Sequence, residues 1–283
     1  MTTAFSENIP GEICVSHPCT ENETNELLHI HDNGYEILFF IGGKVTYFFE
    51  TSIYKMEPGD VMLIPPGCIH GYCTQADAVY DRIPLHIQRN LLHTLSTDKT
   101  SLLEAFQDSQ HRIIHLDQSQ AELFIQYTDM LLRLEEEHKY GHDILSRAYL
   151  LFILQMVNSI YRNTFCTHKD VSPKLIRSAI DYINLHLSED LSVESISAAL
   201  NISSSRLSHL FKEHMNSSVW NYVTAKRLQL ARSLLLEGRS VMDACYESGF
   251  RDYSHFNKTF SKVFHMTPGK FQKAQKTDHI LQS

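Results

Sequence analysis

An internal repeat constrains the fold of this chain more than any other feature. A shift of 49 residues lays Ser203-Ser204-Ser205-Arg206-Leu207-Ser208-His209-Leu210-Phe211 onto Asp252-Tyr253-Ser254-His255-Phe256-Asn257-Lys258-Thr259-Phe260. In each copy an N-cap residue, Ser203 or Asp252, precedes apolar side chains four apart, Leu207 with Phe211 and Phe256 with Phe260. A short helical segment and a tight turn come before each copy: Val193 to Leu200 with Asn201-Ile202, then Val241 to Glu247 with Ser248-Gly249-Phe250. Ser197 and Cys245 lie one turn before those breaks, and their small side chains let the two helices cross closely. Helix, turn, helix, written twice, predicts two helix-turn-helix units. Between them Val219 to Leu236 reads as one helix ended by Gly238. At about 1.5 Å per residue it is roughly 27 Å long, a strut suited to placing two helices about one DNA turn apart on one side of a duplex.

Charge supports that reading only when it is split by region. The whole chain carries −8, but residues 172–283 hold 14 Lys+Arg against 10 Asp+Glu, net +4, while residues 1–171 hold 11 against 23, net −12. The C-terminal part alone is suited to approach phosphates. The core residues of each repeat then fix which face DNA would meet. In the first copy that face is Ser205, Ser208, His209 and Lys212; in the second it is Ser254, Asn257, Lys258 and Ser261, with His255 beside it. His209, Asn257 and Lys258 have groups able to read base edges, whereas Arg206, Arg251 and Lys262 are placed to clamp phosphates.

Upstream the periodicity changes. Tyr35 to Ile41 and Lys44 to Glu50 read as strands flanking Gly42-Gly43, which predicts a tight hairpin, and Ile53 to Met56 and Val61 to Ile64 follow between turn residues. This is an all-β module, a small barrel or jelly roll. From about Gln118 the pattern is helical, with a second helix from Asp143 to about Arg162, and Ser172-Pro173 predicts an N-cap followed by proline at the first helical position. The expected fold class is therefore α+β, with a β module over 1–95, a helical segment over 96–168 and an all-α domain over 169–283.

Residues 172 to 273 resemble the DNA-binding domain of AraC/XylS-type transcription regulators. Arg227-Leu228, Ala231, Leu234, Val241, Cys245, Ser248-Gly249-Phe250, Phe256, Phe260, Phe264 and Thr267-Pro268 fall where that family expects them. Asn216 and His265 stand where the family usually has glycine, and Gln272 where it has arginine; His265 is the poorer fit to a left-handed cap. Over about residues 25 to 90, His29-Ile30-His31, Glu36 and Gly43, followed by Gly59, Pro65, Gly67 and His70, resemble the two cupin motifs. The resemblance implies that His29, His31, Glu36 and His70 converge inside a barrel. There they would either hold a divalent metal or hydrogen-bond a polar effector, with Tyr35 as an apolar wall. No cofactor is required by this reading.

The resemblance implies a non-enzymatic regulator that binds promoter DNA, senses a small molecule such as a sugar or related metabolite and works with RNA polymerase; the apolar stripes of the helices over about residues 120–162 exceed what one β module needs to cover, so a homodimer through them is expected. A metal-dependent cupin enzyme carrying a DNA-binding appendage is the alternative. The remaining features are bland. Cys68 and Cys73 do not form a zinc knuckle, Glu135-Glu136-Glu137 reads as a solvated helix end, and Trp220 is expected in the core. No acyl- or phosphoryl-transfer motif is present. The apolar runs Tyr149 to Gln155 and Ala78 to Ile87 are too short to span a bilayer, and Met1 to Thr20 does not resemble a signal peptide. A cytoplasmic protein with reduced cysteines and no membrane partner is expected.

Overall fold

Alternation of apolar and polar residues builds the first half of the molecule. The computed structural model describes residues 11–21, 25–31, 33–74, 79–108, 112–137, 139–163 and 171–273; Cys166 lies outside them. In chain order the strands are β1 (Ile13–Val15), β2 (Cys19–Thr20), β3 (Asn25–His29), β4 (Gly34–Gly43), β5 (Val45–Phe49), β6 (Ser52–Lys55), β7 (Asp60–Ile64), β8 (His70–Thr74), β9 (Tyr80–Gln88) and β10 (Ile113–His115). They form a six-stranded sheet, β1-β9-β4-β7-β10 with β2 also on β9, and a four-stranded sheet, β3-β8-β5-β6. Helices α1 (Arg89–Leu95), α2 (Glu104–Gln107), α3 (Gln118–Glu137) and α4 (His142–Asn163) follow the barrel.

Strand β4 shows how the pleat sorts its residues. Tyr35, Ile37 and Phe39 pack with Ile83, Leu85 and Ile87 of β9 and with α3 and α4, where Phe39 meets Phe124 at 4.9 Å between ring centroids. Leu38 and Phe40 face the other way, toward Tyr47, Tyr72 and Tyr80 inside the barrel. The hairpin expected at Gly42-Gly43 does not form. β4 pairs with β7 and β9 while β5 pairs with β6 and β8, so the glycines carry the chain from one sheet to the other. Glycine is needed at 43, where φ is +127° and a Cβ would lie 2.1 Å from the Val79 carbonyl oxygen. The tight hairpin is instead β5–β6, closed by Glu50-Thr51 with Glu50 left-handed at φ +54°. β10 adds to β7 and so completes the sheet from beyond residue 95, inside the segment expected to be helical.

α4 is long and apolar enough to cross a membrane by length and composition, contrary to the expectation from uninterrupted runs, because its polar residues are scattered through it. Here its Leu150, Ile153, Leu154, Val157 and Ile160 are buried against the sheet and α3.

The second half is helical: α5 (Lys174–Leu185), α6 (Val193–Ala199), α7 (Ser204–Met215), α8 (Val219–Leu236), α9 (Val241–Glu247), α10 (Tyr253–Phe264) and a final helical stretch over 268–273. Ser192, Ser203, Ser218, Ser240 and Asp252 each cap a helix by accepting from a backbone N–H. Ser172 does not cap α5. Its Oγ accepts from Ile53 N at 2.9 Å, and Val171 N donates to Ile53 O, so this segment lies against β6. Trp220 is also not core: it is 43% exposed, with the Arg227 guanidinium 5.4 Å from its ring centroid.

Candidate functional site: a buried histidine–carboxylate pocket and two helix faces

The barrel pocket is built by strands β3, β4, β5, β8 and β9 and by the connection from β3 to β4. His29 ends β3 opposite His70 at the start of β8, and Glu36 on β4 is opposite His86 on β9. His29, His31, Glu36 and His70 are all buried, and their four ligand-type atoms lie within 4.8 Å of one another. His29 Nε2 is 3.2 Å from His31 Nε2, and Glu36 Oε2 is 3.2 Å from both His31 Nε2 and His70 Nε2. The His70 ring is oriented by its Nδ1, which lies 3.1 Å from the Cys68 carbonyl, leaving Nε2 to the centre. Burial works to raise the Glu36 carboxyl, but the charge of His86 and hydrogen bonds from His31, His70 and His86 hold it well below the usual carboxylate range.

Such a donor set suits one divalent transition ion. Ligand bonds of about 2.0–2.2 Å place neighbouring donors of a tetrahedral shell roughly 3.4 Å apart, close to the 3.2 Å contacts seen here. The cavity over this centre is about 200 Å³ and is lined in addition by Tyr47, Tyr72, Arg82 and His86. Tyr35 is not among its walls. It sits on the opposite face of β4 from Glu36, its ring 4.8 Å from Phe106, because neighbouring strand residues point to opposite sides of a sheet. His86 and Arg82 were detectable by the same rule. Along β9 the buried Ile83, Leu85 and Ile87 alternate with Arg82, Pro84 and His86, and the second set lines the cavity.

The pocket is connected to α8. Gly67 N donates to His31 O at 2.7 Å, and Gly67 O accepts from Gln229 Nε2 at 3.0 Å. Glu50 accepts from Gln229 Nε2, Lys226 Nζ and the Ile69 backbone N–H, at 2.9, 3.2 and 3.0 Å. Phe48 packs on Tyr222 of α8 at 5.9 Å, and Phe48, Ile53 and Ile69 of the barrel share one apolar core with α7 and α8. Residues 65–70 therefore touch the histidine centre at one end and α8 at the other.

In the helical domain both helix-turn-helix units close alike. Asn201 and Gly249 are left-handed, and the next N–H, of Ile202 or Phe250, reaches back to the carbonyl of Ser197 or Cys245. Ser205, Arg206, Ser208, His209 and Lys212 are exposed along α7; Arg251, Ser254, His255 and Lys258 are exposed at α10, with Asn257 half-buried. Arg227, buried in α8, donates to Leu187 O and Glu189 O and so fixes the end of α5 beside the second unit.

A family model of the AraC-like ligand binding domain matches residues 10–154, and one of a helix-turn-helix domain matches residues 196–274. The chain belongs to the AraC family of transcription regulators. A lactose operon transcription activator of Staphylococcus xylosus is 24% identical over 232 residues, covering 81% of this chain and 80% of that protein. An uncharacterized HTH-type transcriptional regulator of Staphylococcus aureus is 23% identical over 247 residues, covering 85% of this chain. The match takes in only 31% of that longer protein, so the chain spans about a third of the length of its Staphylococcus aureus relatives. Among solved structures, apo ToxT K231A from Vibrio cholerae aligns over 94% of this chain and 98% of its own, at 12% identity and a TM-score of 0.40. In this AraC-family chain the sequence pattern located the buried quartet; of the two helix faces it named, Asn257 and Ser261 are half-buried and the other side chains are exposed. It did not locate Glu50, Lys226 or Gln229, whose partners lie more than 150 residues away in sequence.

Proposed function

We propose that this AraC-family chain is a sequence-specific transcription regulator that senses a small molecule without turning it over. Its barrel would hold a divalent ion on His29, His31, Glu36 and His70 and admit a small polar effector above it. The ion would supply Lewis acidity and open coordination positions for effector oxygens. The exposed faces of α7 and α10 would bind promoter DNA in successive major-groove segments, and RNA polymerase would be the partner that reads the outcome in the cytoplasm. The observation that carries this reading is the continuous path from His31 through Gly67 to Gln229 on α8, the helix joining the two DNA-reading units. A metal-dependent cupin enzyme would need the same four side chains, but this path into the DNA-binding domain favours sensing over catalysis.

Homodimerisation through α3 and α4 is supported by the apolar surface they leave exposed. Ile144, Leu151 and Phe152 of α4 and Leu123 of α3 face solvent, with Phe152 stacked on Tyr127. Light scattering that gave the 32.6 kDa monomer mass at micromolar concentration would count against it.

The test of the main reading is a gel shift of the full chain on promoter fragments from neighbouring genes, run at several salt concentrations with and without chelator. Binding that weakens steeply with salt and changes on metal removal is expected. Absence of DNA binding at low salt, or turnover of a small substrate by the metal-loaded chain, would overturn it.

A further inference from the structure

Arg82 occupies an unusual position for a cation. It projects from β9 into the same cavity as His86, and its guanidinium lies 4.0 Å from the Tyr80 ring centroid and 5.3 Å from that of Tyr72. Its hydrogen bonds go to Tyr72 Oη at 3.2 Å, Thr20 Oγ1 at 3.3 Å and Tyr80 O at 3.4 Å, all neutral acceptors. Among the described residues no carboxylate comes within ion-pair distance of Arg82. Among the described residues the only acidic side chain lining the cavity is Glu36, which is already engaged by three imidazoles. A half-buried guanidinium held only by neutral groups keeps an uncompensated charge, and a planar carboxylate is the ligand that its fork matches best.

We propose that the pocket receives a small hydroxylated carboxylate whose carboxylate pairs with Arg82 while its hydroxyl oxygens meet the His29–His31–Glu36–His70 centre. The hydroxyl end of this assignment rests on the metal-centre reading above; the carboxylate end rests on Arg82 alone. With Glu36 neutralising one charge, a divalent ion plus Arg82 leaves the cavity positive, so an anion is favoured over a neutral sugar of the same shape. The size agrees. A cavity of about 200 Å³ lies below the roughly 300–1,000 Å³ of pockets for drug-sized ligands, leaving space for a compact acid. Tyr47, whose hydroxyl is hydrogen-bonded to that of Tyr80, adds a further polar wall.

The test is isothermal titration of the metal-loaded full chain with matched pairs: glycerate against glycerol, D-gluconate against sorbitol, and D-galacturonate against D-galactose. At least one acid should bind about 10-fold or more tightly than its neutral partner. Arg82→Gln should abolish that preference with the metal content unchanged by mass spectrometry, and Arg82→Lys should restore part of it. Thermal unfolding of both variants identifies any that fail to fold, and the lysine variant then carries the comparison. If no acid outbinds its neutral partner, or if Arg82→Gln keeps the preference, the proposal is overturned, and metal found by mass spectrometry would leave the metal reading standing. If the preference persists in chelator-treated protein that takes up no metal, the role of Arg82 is upheld and the metal reading falls.

Discussion

The two helix-turn-helix units share their local plan and differ in what surrounds them. Each has a capped recognition helix, a small residue before the break, and a left-handed turn closed by the same backward hydrogen bond. The first unit is packed against the barrel, where Phe211 of α7 contacts Tyr222 of α8 and Tyr222 contacts Phe48 of β5. The second is fixed to the rest of the helical domain instead, by Arg227 and by Ser188 Oγ donating to Glu247 O. Identical local motifs have thus been given different neighbours. If both units bind DNA as proposed, the first is the one in direct contact with the pocket-bearing barrel.

The sharpest way to break this comparison is at the turns. A Cβ at Gly249 would lie 2.4 Å from Leu187 O, whereas Asn201, at the same place in the first unit, is exposed and already carries a side chain at φ +55°. Exchanging the two residues should have unequal effects. Gly249→Asn should cost about 3 kcal/mol or more and abolish operator binding, while Asn201→Gly should stay within about 1 kcal/mol. Chemical denaturation and operator affinity of the two variants check this. Equal effects would mean that the second unit is no more tightly packed than the first.

The side chains proposed to face DNA offer the next largest difference. In the first unit His209 is 3.6 Å from Glu213, and Lys212 Nζ donates to Asn216 Oδ1 at 2.7 Å, so both are already engaged. Lys258 makes no ion pair or hydrogen bond among the described residues, and Asn257 has only a long contact with Ser261, at 3.4 Å. Replacing Asn257 and Lys258 by alanine should weaken operator binding about 10- to 100-fold and flatten its salt dependence, with a loss of less than about 10-fold for Ser205 and His209. A larger loss from the first pair, measured by gel shift, would reverse the assignment of roles.

If the first unit is the one coupled to the barrel, cutting the Glu50 contacts should disconnect it. Glu50→Ala removes the acceptor of Lys226, Gln229 and the Ile69 N–H and keeps a Cβ on the left-handed backbone, so the protein should lose stability modestly, by about 1–2 kcal/mol. Effector affinity should hold within about 2-fold, while the effect of effector on operator binding should fall several-fold. Retention of the full effector response in Glu50→Ala would show that coupling runs by another route.

How much of this could be read from the sequence follows from how local each feature is. The bounds expected for α8 and α9 are the observed ones, since caps, turns and apolar spacing all lie within a few residues of each other. The barrel depends on partners far apart in the chain. Gly42-Gly43 looks like a hairpin in sequence, yet pairing of β4 with β9 sends the chain to the other sheet, and the real two-residue hairpin at Glu50-Thr51 has no glycine to mark it. The buried quartet was legible because its residue types and spacing are distinctive. Tyr35 adjoins Glu36 in sequence, but the two-residue period of a strand turns it to the other face of β4, and the same period marks His86 and Arg82 on β9. Ser172 has the composition of a cap, but a backbone N–H of β6 takes its hydroxyl.

The smallest expected difference between the units lies where their recognition helices end. Asn216 and His265 both close their helices in the left-handed region, at φ +45° and +52°, where glycine carries no steric penalty. Asn216 is nearly buried and its Oδ1 accepts from Lys212 Nζ, so its side chain repays part of the conformational strain; His265 is exposed and has a larger side chain to place there. Glycine should therefore act with opposite sign at the two sites. His265→Gly is expected to stabilise the domain by about 0.5–1 kcal/mol, a rise in Tm of roughly 1–4 °C, and Asn216→Gly to lower it by a similar amount. Paired thermal melts of the full chain measure both. A rise in each would show that the Asn216–Lys212 contact contributes little and that the first unit, like the second, simply tolerates a strained cap; a fall in each would show that His265 has gained a packing role that the glycine at this place in other family members does not have.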